Sequence, residues 1–164
     1  MSEQGTIEIA PLGPGDGPRV AAFMAEHWGD EMMVVHGVIH HPSRLPGFAA
    51  LADGAWRGLV SYQIDGGQCE IVSLDSLDEG RGIGSALLAA VAGAARAAGC
   101  RRIWLVTTND NLNALRFYQK RGFALVAVHR DAVAAARRIK PSIPLTGEHG
   151  IPIRDELELE LALG

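Results

Sequence analysis

Three closely spaced glycines stand directly before an apolar helical repeat. Gly80, Gly82 and Gly84 follow a strand-like run at 69–74, and the apolar face of a helix begins at Ile83. Because glycine has no Cβ, the backbone at these positions can come close to a ligand. The first turn of a helix leaves several N–H groups unpaired and carries a partial positive charge. The spacing therefore indicates a cradle for a phosphate or pyrophosphate group.

The same spacing argues against two other phosphate-binding loops. A dinucleotide-binding loop has the pattern G-x-G-x-x-G, whereas Gly80, Gly82 and Gly84 form G-x-G-x-G. A mononucleotide P-loop ends in Gly-Lys-Ser or Gly-Lys-Thr, and the nearest lysine in this chain is Lys120. The loop is therefore expected to hold a phosphorylated carrier of another kind.

A second pattern lies one helix and one strand downstream. Asn111, Ala114, Phe117 and Tyr118 recur at helical spacing, and Gly122 follows them. A tyrosine hydroxyl has a proton to donate and a long reach, so Tyr118 is a candidate general acid. The alternative is a packed tyrosine whose hydroxyl bonds to backbone. Asn111 could bind a ligand or cap the helix, and the residues alone do not choose between these roles.

Together the two patterns resemble the GNAT superfamily of N-acetyltransferases. The loop is similar to the acetyl-CoA pyrophosphate loop of that superfamily, Gln/Arg-x-x-Gly-x-Gly/Ala, with Glu79 where glutamine or arginine is usual. The run 111–123, Asn-x-x-Ala-x-x-Phe-Tyr-x-x-x-Gly-Phe, resembles the second signature at the expected distance. The resemblance implies an acetyl-CoA-dependent enzyme that acetylates an amine, with acetyl-CoA as cosubstrate and no metal.

The resemblance also implies roles for particular residues. Backbone groups of Val72 and Leu74, on the strand before the loop, would align the pantetheine arm, and Tyr118 would protonate the departing thiolate. An acidic group repels a pyrophosphate, so Arg81 is expected to carry the local electrostatics and Glu79 to turn away. The remaining coenzyme contacts would come from the loop, the helix start and the second signature: Gly80, Arg81, Gly82, Ile83, Gly84, Ser85, Asn111 and Ala114.

The general base is assigned to Glu70. The superfamily often places a glutamate on this strand, where it deprotonates the amine through water, although the position used by some relatives falls on Gln68. In a regular strand Glu70 would point inward with Val72 and Leu74, and a buried carboxylate needs a partner or a chemical role. Asp75 is a lesser candidate.

Histidines are further candidates, because they titrate near neutral pH. His36 and His40 would share one face of a helix and could then bind a metal. No third ligand with suitable spacing is evident, and Pro42 would end such a helix. The preferred interpretation is that these residues and His41 are histidines of the surface or of a substrate loop.

The order of strand and helix patterns predicts a single α/β domain spanning 1–164. Strands are predicted at 6–10, 48–53, 56–64, 68–74, 102–108, 123–129 and 155–163, and helices at 18–28, 83–98, 111–121 and 131–140. The last strand alternates acidic residues with leucine, which predicts one face in water. The expected architecture is GNAT-like: a mixed, mostly antiparallel central sheet of about seven strands with helices on both faces.

Two segments depart from the usual plan of the superfamily and are expected to shape specificity. Residues 36–48 lie where relatives commonly line the acceptor site, and residues 131–154 form a long connection in place of a tight hairpin. The second segment resembles a branch of small bacterial GNAT proteins. The expected partner is a small-molecule amine. A protein or peptide amine, or a catalytically silent acyl-CoA sensor, are the alternatives.

Composition limits the other classes of function. The chain has 164 residues and a net charge of −4, which argues against a nucleic-acid partner. No apolar stretch approaches the length of a membrane span, and no leader pattern is evident, so neither membrane nor secretion is expected. Cys69 and Cys100 lack metal-like spacing, which favours a reducing cytoplasm. Exposed strands near the C-terminus suggest a homodimer.

Overall fold

The fold is a seven-stranded sheet with helices on both faces. The computed structural model describes residues 6–78 and 80–164. The strands are β1 (Glu8–Pro11), β2 (Met33–Val35), β3 (Val38–His40), β4 (Gly47–Ala52), β5 (Ala55–Asp65), β6 (Gln68–Ser76), β7 (Arg102–Thr108), β8 (Ala124–His129) and β9 (Glu156–Ala162). The helices are α1 (Gly17–Trp28), α2 (Ile83–Ala97), α3 (Leu112–Lys120) and α4 (Ala132–Ile139), with 3₁₀ turns at Pro42–Arg44 and Glu148–Gly150.

The central sheet has the strand order β1-β4-β5-β6-β7-β9-β8. Strands β6 and β7 are parallel, because α2 connects them, and the other neighbours are antiparallel. Strands β2 and β3 form a separate hairpin. The predicted fold class is therefore confirmed.

Both faces of the sheet are covered by helices. On one face, α2 buries an apolar stripe that starts with Ile83 and Leu87, and Tyr118 of α3 belongs to the same buried cluster. On the other face α1 packs Phe23 and Met24 against Leu59 of β5. Each large apolar side chain buried in this way stabilises the fold by about 1.5–3 kcal/mol. In the described ranges, no helix has both the length and the apolar character needed to cross a membrane.

The hairpin of β2 and β3 is the main element that the sequence patterns did not predict. Its turn is His36-Gly37, and both residues have positive φ values, of 52° and 74°. Two successive positive φ values suit the right-handed twist of a hairpin, but the first position is usually Asn, Asp or Gly. The segment is therefore not helical, and the less favoured alternative, in which His36 and His40 share a helical face, is excluded.

Strand β9 does not expose the face that its alternation predicts. Glu156 is only 5% exposed, because the hairpin lies over it and the backbone N–H of His36 donates to its Oε2 at 3.0 Å. Further along the same face Arg102 pairs with Glu158 and Glu160, at 3.2 and 2.8 Å. This acidic face is thus buried at one end and neutralised at the other.

Strand β8 forms an edge of the sheet and carries exposed apolar side chains. Leu125, Val126 and Val128 are 48%, 44% and 60% exposed. An edge of this kind offers a surface for pairing with another chain. The homodimer suggested by the sequence stays a prediction.

Candidate active site

A cleft opens where the parallel strands separate. Pairing of β6 with β7 ends at Glu70 and Trp104, although the two strands continue to Ser76 and Thr108. The space between them has a volume of about 350 Å³ and is lined by both strands and by the first turns of α2 and α3. A strand edge without a neighbouring strand presents backbone N–H and C=O groups. The cleft can therefore bind an extended ligand along β6.

Several residues with predicted coenzyme roles meet in this cleft. Its lining includes Val72 and Leu74 from β6, Gly84 from α2, and Asn111 and Ala114 at the start of α3. Asn111 caps α3, because its Oδ1 accepts from the N–H of Ala114 at 3.2 Å. Asn111 therefore caps α3 and also lines the cleft, where it could still contact a ligand.

The glycine loop gives α2 an open N-terminus. Gly80 and Gly82 have φ values of 76° and 73°, which L side chains rarely adopt, and Gly82 is the N-cap residue of α2. A Cβ added at either glycine would meet no atom within 4 Å among the described residues other than its chain neighbours, so these residues leave space in front of the helix. At Gly84 a Cβ would lie 3.0 Å from Phe117 of α3, which shows how closely the two helices approach. Glu79 lies outside the described residues.

The other loop residues do not enter the cleft lining. Ile83 is 1% exposed and its side chain belongs to the core, so only its backbone faces a ligand. Nη1 of Arg81 lies 3.4 Å from Oδ2 of Asp78. The other carboxylate oxygen of Asp78, Oδ1, lies 2.6 Å from Nη2 of Arg57. The hydrogen bond from Arg57 is the largest cause that lowers the pKa of Asp78. Asp78 thus stays anionic and holds Arg81 beside the loop.

Arg121 is a cation near the loop that the sequence patterns missed. Its Nε and Nη2 donate to Oγ of Ser85 at 2.9 and 2.7 Å, and its guanidinium lies 3.7 Å from the centre of the Phe117 ring. Ser85 stands in the first turn of α2, so this guanidinium adds positive charge where the helix dipole is already positive. The sequence feature that could have indicated this role is the position of Arg121, a basic residue directly before the Gly122-Phe123 pair.

Tyr118 lines the cleft from α3 and is 6% exposed. Its ring contacts Phe117 and Phe123 edge to face, with centroids 5.0 and 5.2 Å apart. Burial, and secondly the charge of Asp75, raise the pKa of the Tyr118 hydroxyl above its ordinary value. The phenol therefore keeps its proton at neutral pH, as a general acid requires.

Glu70 does not share a face with Leu74, so that expectation is wrong. Tyr62 pairs with Ile71 and Ser61 with Ser73, which makes Val72 an extra residue, a β-bulge. The bulge breaks the alternation of β6. Leu74 packs into the core on the α2 side together with Ile71, whereas Glu70 points to the opposite side.

Glu70 instead meets His40 of the hairpin. Oε1 of Glu70 lies 3.5 Å from Nε2 of His40, and the two side chains are 13% and 6% exposed. Burial, and secondly the charge of Glu158, raise the pKa of Glu70 to about 7. Burial lowers the pKa of His40. His40 is therefore a buried partner of the predicted base and not a surface histidine.

Asp75 and His36 are further base candidates, and their surroundings differ. Asp75 Oδ1 accepts from Nε1 of Trp28 at 2.8 Å, and burial is the main cause that raises the pKa of this carboxyl group. His36 lies in the exposed hairpin turn, with its ring 4.4 Å from that of His129. Within 6–78 and 80–164, no group of three or more His, Cys, Asp or Glu side chains is arranged to hold a metal.

A second cavity of about 570 Å³ adjoins the cleft. It lies between residues 28–35, the residues from the end of β7 to Asn111, and the segment 140–156. Much of the last segment belongs to the connection 131–154, which was expected to shape specificity, whereas residues 28–35 were not assigned to a site from the sequence. The wall that the two cavities share consists of Trp28, Met33, Val106, Thr107 and Asn111. A molecule in the second cavity would therefore lie directly beside one in the cleft.

The long connection is held in place by basic side chains. Arg137 donates to the carbonyl oxygens of Pro144 and Ile153, both at 2.7 Å. Nζ of Lys140 donates to the carbonyl oxygen of Met32 at 2.8 Å. The Arg137 bonds hold the connection together, and the Lys140 bond joins it to the segment before β2, so two segments that line the second cavity are linked.

Comparison with known proteins agrees with this geometry. Residues 18–123 match the family model described as "Acetyltransferase (GNAT) family". YdhI of Bacillus subtilis (strain 168), described as an uncharacterized protein, is 52% identical over 136 residues, which cover 82% of this chain and 85% of YdhI.

Solved structures show the same fold at low sequence identity. A Bacillus subtilis acetyltransferase in complex with CoA has a TM-score of 0.66 and 20% identity, covering 98% of this chain and 99% of the other. A GNAT acetyltransferase from Elizabethkingia anophelis with acetyl-CoA bound has a TM-score of 0.66 and 19% identity, covering 99% and 100%. Because the family model matches residues 18–123, well over half of its length, the chain belongs to the GNAT family of acetyltransferases.

Proposed function

We propose that this protein transfers an acetyl group from acetyl-CoA to the primary amine of a small molecule, with both substrates bound at once. The observation that carries the proposal is the wall shared by the two cavities, because it brings an acceptor beside the thioester. Such positioning can supply about 7–11 kcal/mol of a reaction's barrier. The 164 residues would act as a single domain.

The residues of the cleft fit the donor. The N–H groups of the first turn of α2, with the open space in front of Gly80 and Gly82, suit a pyrophosphate. Arg81, Ser85 and Arg121 stand close by, and the edge of β6 at 72–74 suits the amides of a pantetheine arm. The solved GNAT relatives that hold CoA or acetyl-CoA support this assignment.

The second cavity suits the acceptor. Trp28, Met33 and Val106 make the shared wall mainly apolar. An ammonium group that leaves water for apolar surroundings has a lowered pKa and loses its proton more easily. The attacking nitrogen must be neutral, so this wall favours the reactive form of the amine at the point of attack.

Proton transfer is assigned to Tyr118 and Glu70. The amine nitrogen forms a bond to the thioester carbon, the carbon–sulfur bond breaks, and the departing thiolate takes the proton of Tyr118. Glu70 lies outside the two cavity linings, so it would receive the amine proton through water. Its partner His40 pairs in register with Met33 of the shared wall, which supports a role for the pair near the proposed point of attack.

The proposal is tested by following thiol release from acetyl-CoA with a panel of primary amines. A small-molecule N-acetyltransferase releases CoA only when amine is added, and the product carries one acetyl group by mass spectrometry. Acetylation of peptides in place of all small amines would move the substrate class to proteins. Tight acetyl-CoA binding without turnover on any amine would favour a silent sensor.

A further inference from the structure

Charge is distributed unevenly along the second cavity. None of the described residues in the wall that it shares with the cleft has a charged side chain. The rest of its lining contains four carboxylates, from Asp30, Asp110, Glu148 and Glu156, and one ammonium, from Lys140. An occupant would therefore meet an uncharged wall on the side of the cleft and carboxylates elsewhere in the cavity.

Two of these carboxylates are buried without a counter-cation. Asp110 and Glu156 are both 5% exposed. Asp110 accepts from Oγ1 of Thr108 at 2.5 Å and from the N–H of Glu148 at 3.1 Å, and Glu156 accepts from the N–H of His36. Neither forms an ion pair with any residue of the described ranges. Buried charges are normally paired, so this end of the cavity lacks a cation.

Lys140 does not supply that cation. Its Nζ lies 3.7 Å from Oδ2 of Asp30 and 2.8 Å from the carbonyl oxygen of Met32, so it pairs with Asp30 and not with Asp110 or Glu156. Glu148, in an exposed 3₁₀ turn, adds a further negative charge beside Asp110. Among the described residues no cation pairs with Asp110 or Glu156, and a cationic ligand would supply one.

We infer that the acceptor carries two cationic groups, as an α,ω-diamine does, and that Asp110 and Glu156 bind the ammonium that is not acetylated. The inference rests on the proposed function, since it places the other amine at the shared wall. A cavity of about 570 Å³ is in the usual range for small-molecule sites. An alkyl chain between the two nitrogens would lie against the apolar residues of the wall.

The test compares 1,5-diaminopentane with n-pentylamine, which has the same chain and one amine. Binding is measured by calorimetry with CoA present, and turnover with acetyl-CoA is measured separately. We expect the diamine to bind at least tenfold more tightly and to have a kcat/KM at least tenfold higher. Equal binding of the two amines would overturn the inference, even if both are acetylated and the proposed function stands. Tight diamine binding without acetylation would support the diamine site while the proposed function fails.

Variants locate the effect within the cavity. Asp110→Asn and Glu156→Gln keep the side-chain shape and remove one charge, and each should reduce the preference for the diamine at least fivefold. Asp65→Asn, at the exposed end of β5, removes a carboxylate far from the cavity lining and should leave the preference unchanged. A thermal melt of each variant checks folding. A preference that survives in both folded cavity variants would overturn the assignment of the ammonium to Asp110 and Glu156.

Discussion

Nε2 of His40 lies 3.5 Å from Oε1 of Glu70, and both side chains are almost entirely buried. Burial lowers the pKa of the histidine and raises that of the glutamate to about 7. Loss of water disfavours the charged form of each group. Glu70 therefore changes its protonation near neutral pH, which suits a base that must accept and release a proton in each turnover.

Glu70→Gln should change how stability depends on pH. The native pKa of about 7 lies above the ordinary 4.5, so the native state keeps a proton that the unfolded state loses between these values. The Glu70 carboxyl therefore makes its full contribution to wild-type stability below pH 4.5, and this contribution is lost as the pH rises through 7. Glutamine imitates the protonated form. We expect the free energy of unfolding of the variant, relative to that of the wild type, to increase by about 2 kcal/mol as the pH rises from 5 to 8. Urea unfolding at both pH values measures this difference.

The same variant tests the role of Glu70 in catalysis. The pH profile of kcat/KM should rise through an apparent pKa near 7 in the wild type and lose this limb in Glu70→Gln. Glu8→Gln, on an exposed position of β1, is the control for loss of a carboxylate. An unchanged limb in Glu70→Gln would remove Glu70 from the proton transfer.

Tyr118→Phe should lower turnover at least tenfold and leave the affinity for acetyl-CoA within about twofold. The substitution removes only the proton donor, and the aromatic contacts with Phe117 and Phe123 can persist. Tyr62→Phe is the matched control, because the chain has two tyrosines and Tyr62 stacks on Phe48 in another part of the sheet. Turnover is measured as CoA release in fixed-time assays with saturating acetyl-CoA. Wild-type turnover in Tyr118→Phe would exclude the hydroxyl from the mechanism.

Gly82→Val should abolish acetyl-CoA binding. A branched side chain would fill the space before α2 and would strain a backbone whose φ is 73°. Gly54→Val imposes the same strain at φ 77° in the turn between β4 and β5, so it controls for loss of stability. Equilibrium dialysis should show binding by Gly54→Val only. Normal affinity in Gly82→Val would show that the loop does not hold the coenzyme.

Asn111→Ala should destabilise the protein by about 1 kcal/mol, because α3 loses its cap. Asn111→Asp keeps an oxygen that accepts from the N–H of Ala114 and should retain most of that stability. Denaturant unfolding measures both. Equal destabilisation by the two variants would mean that the donor bond from Asn111 Nδ2 to Thr107, at 3.2 Å, matters more than the cap.

Local patterns predicted most of the fold because strands and helices here follow regular periodicities. The apolar stripe of α2 and the strand 102–108 agree with the structure, and the glycine loop stands at the N-terminus of α2 as expected. The hairpin of β2 and β3 was missed because its strands have three residues each and its turn begins with histidine.

The environment of the site was less predictable because it depends on long-range pairing. The bulge at Val72 arises from the register with β5 and turns Glu70 away from the side of Leu74. Contact between His40 and Glu70 requires the hairpin to fold over the sheet. The hairpin also buries Glu156. The alternation of β9 predicted a face exposed to solvent, but Glu156 on that face lines the second cavity instead.

Thermal unfolding with and without acetyl-CoA tests the central claim most directly, with NADH and ATP as controls. At about one hundred times its dissociation constant, a ligand of the native state stabilises it by roughly 2.7 kcal/mol. For a domain of this size, that corresponds to a rise in Tm of about 5–10 °C. The account predicts this rise with acetyl-CoA and none with the controls. An unchanged Tm with acetyl-CoA would contradict the assignment of the cleft and of the glycine loop.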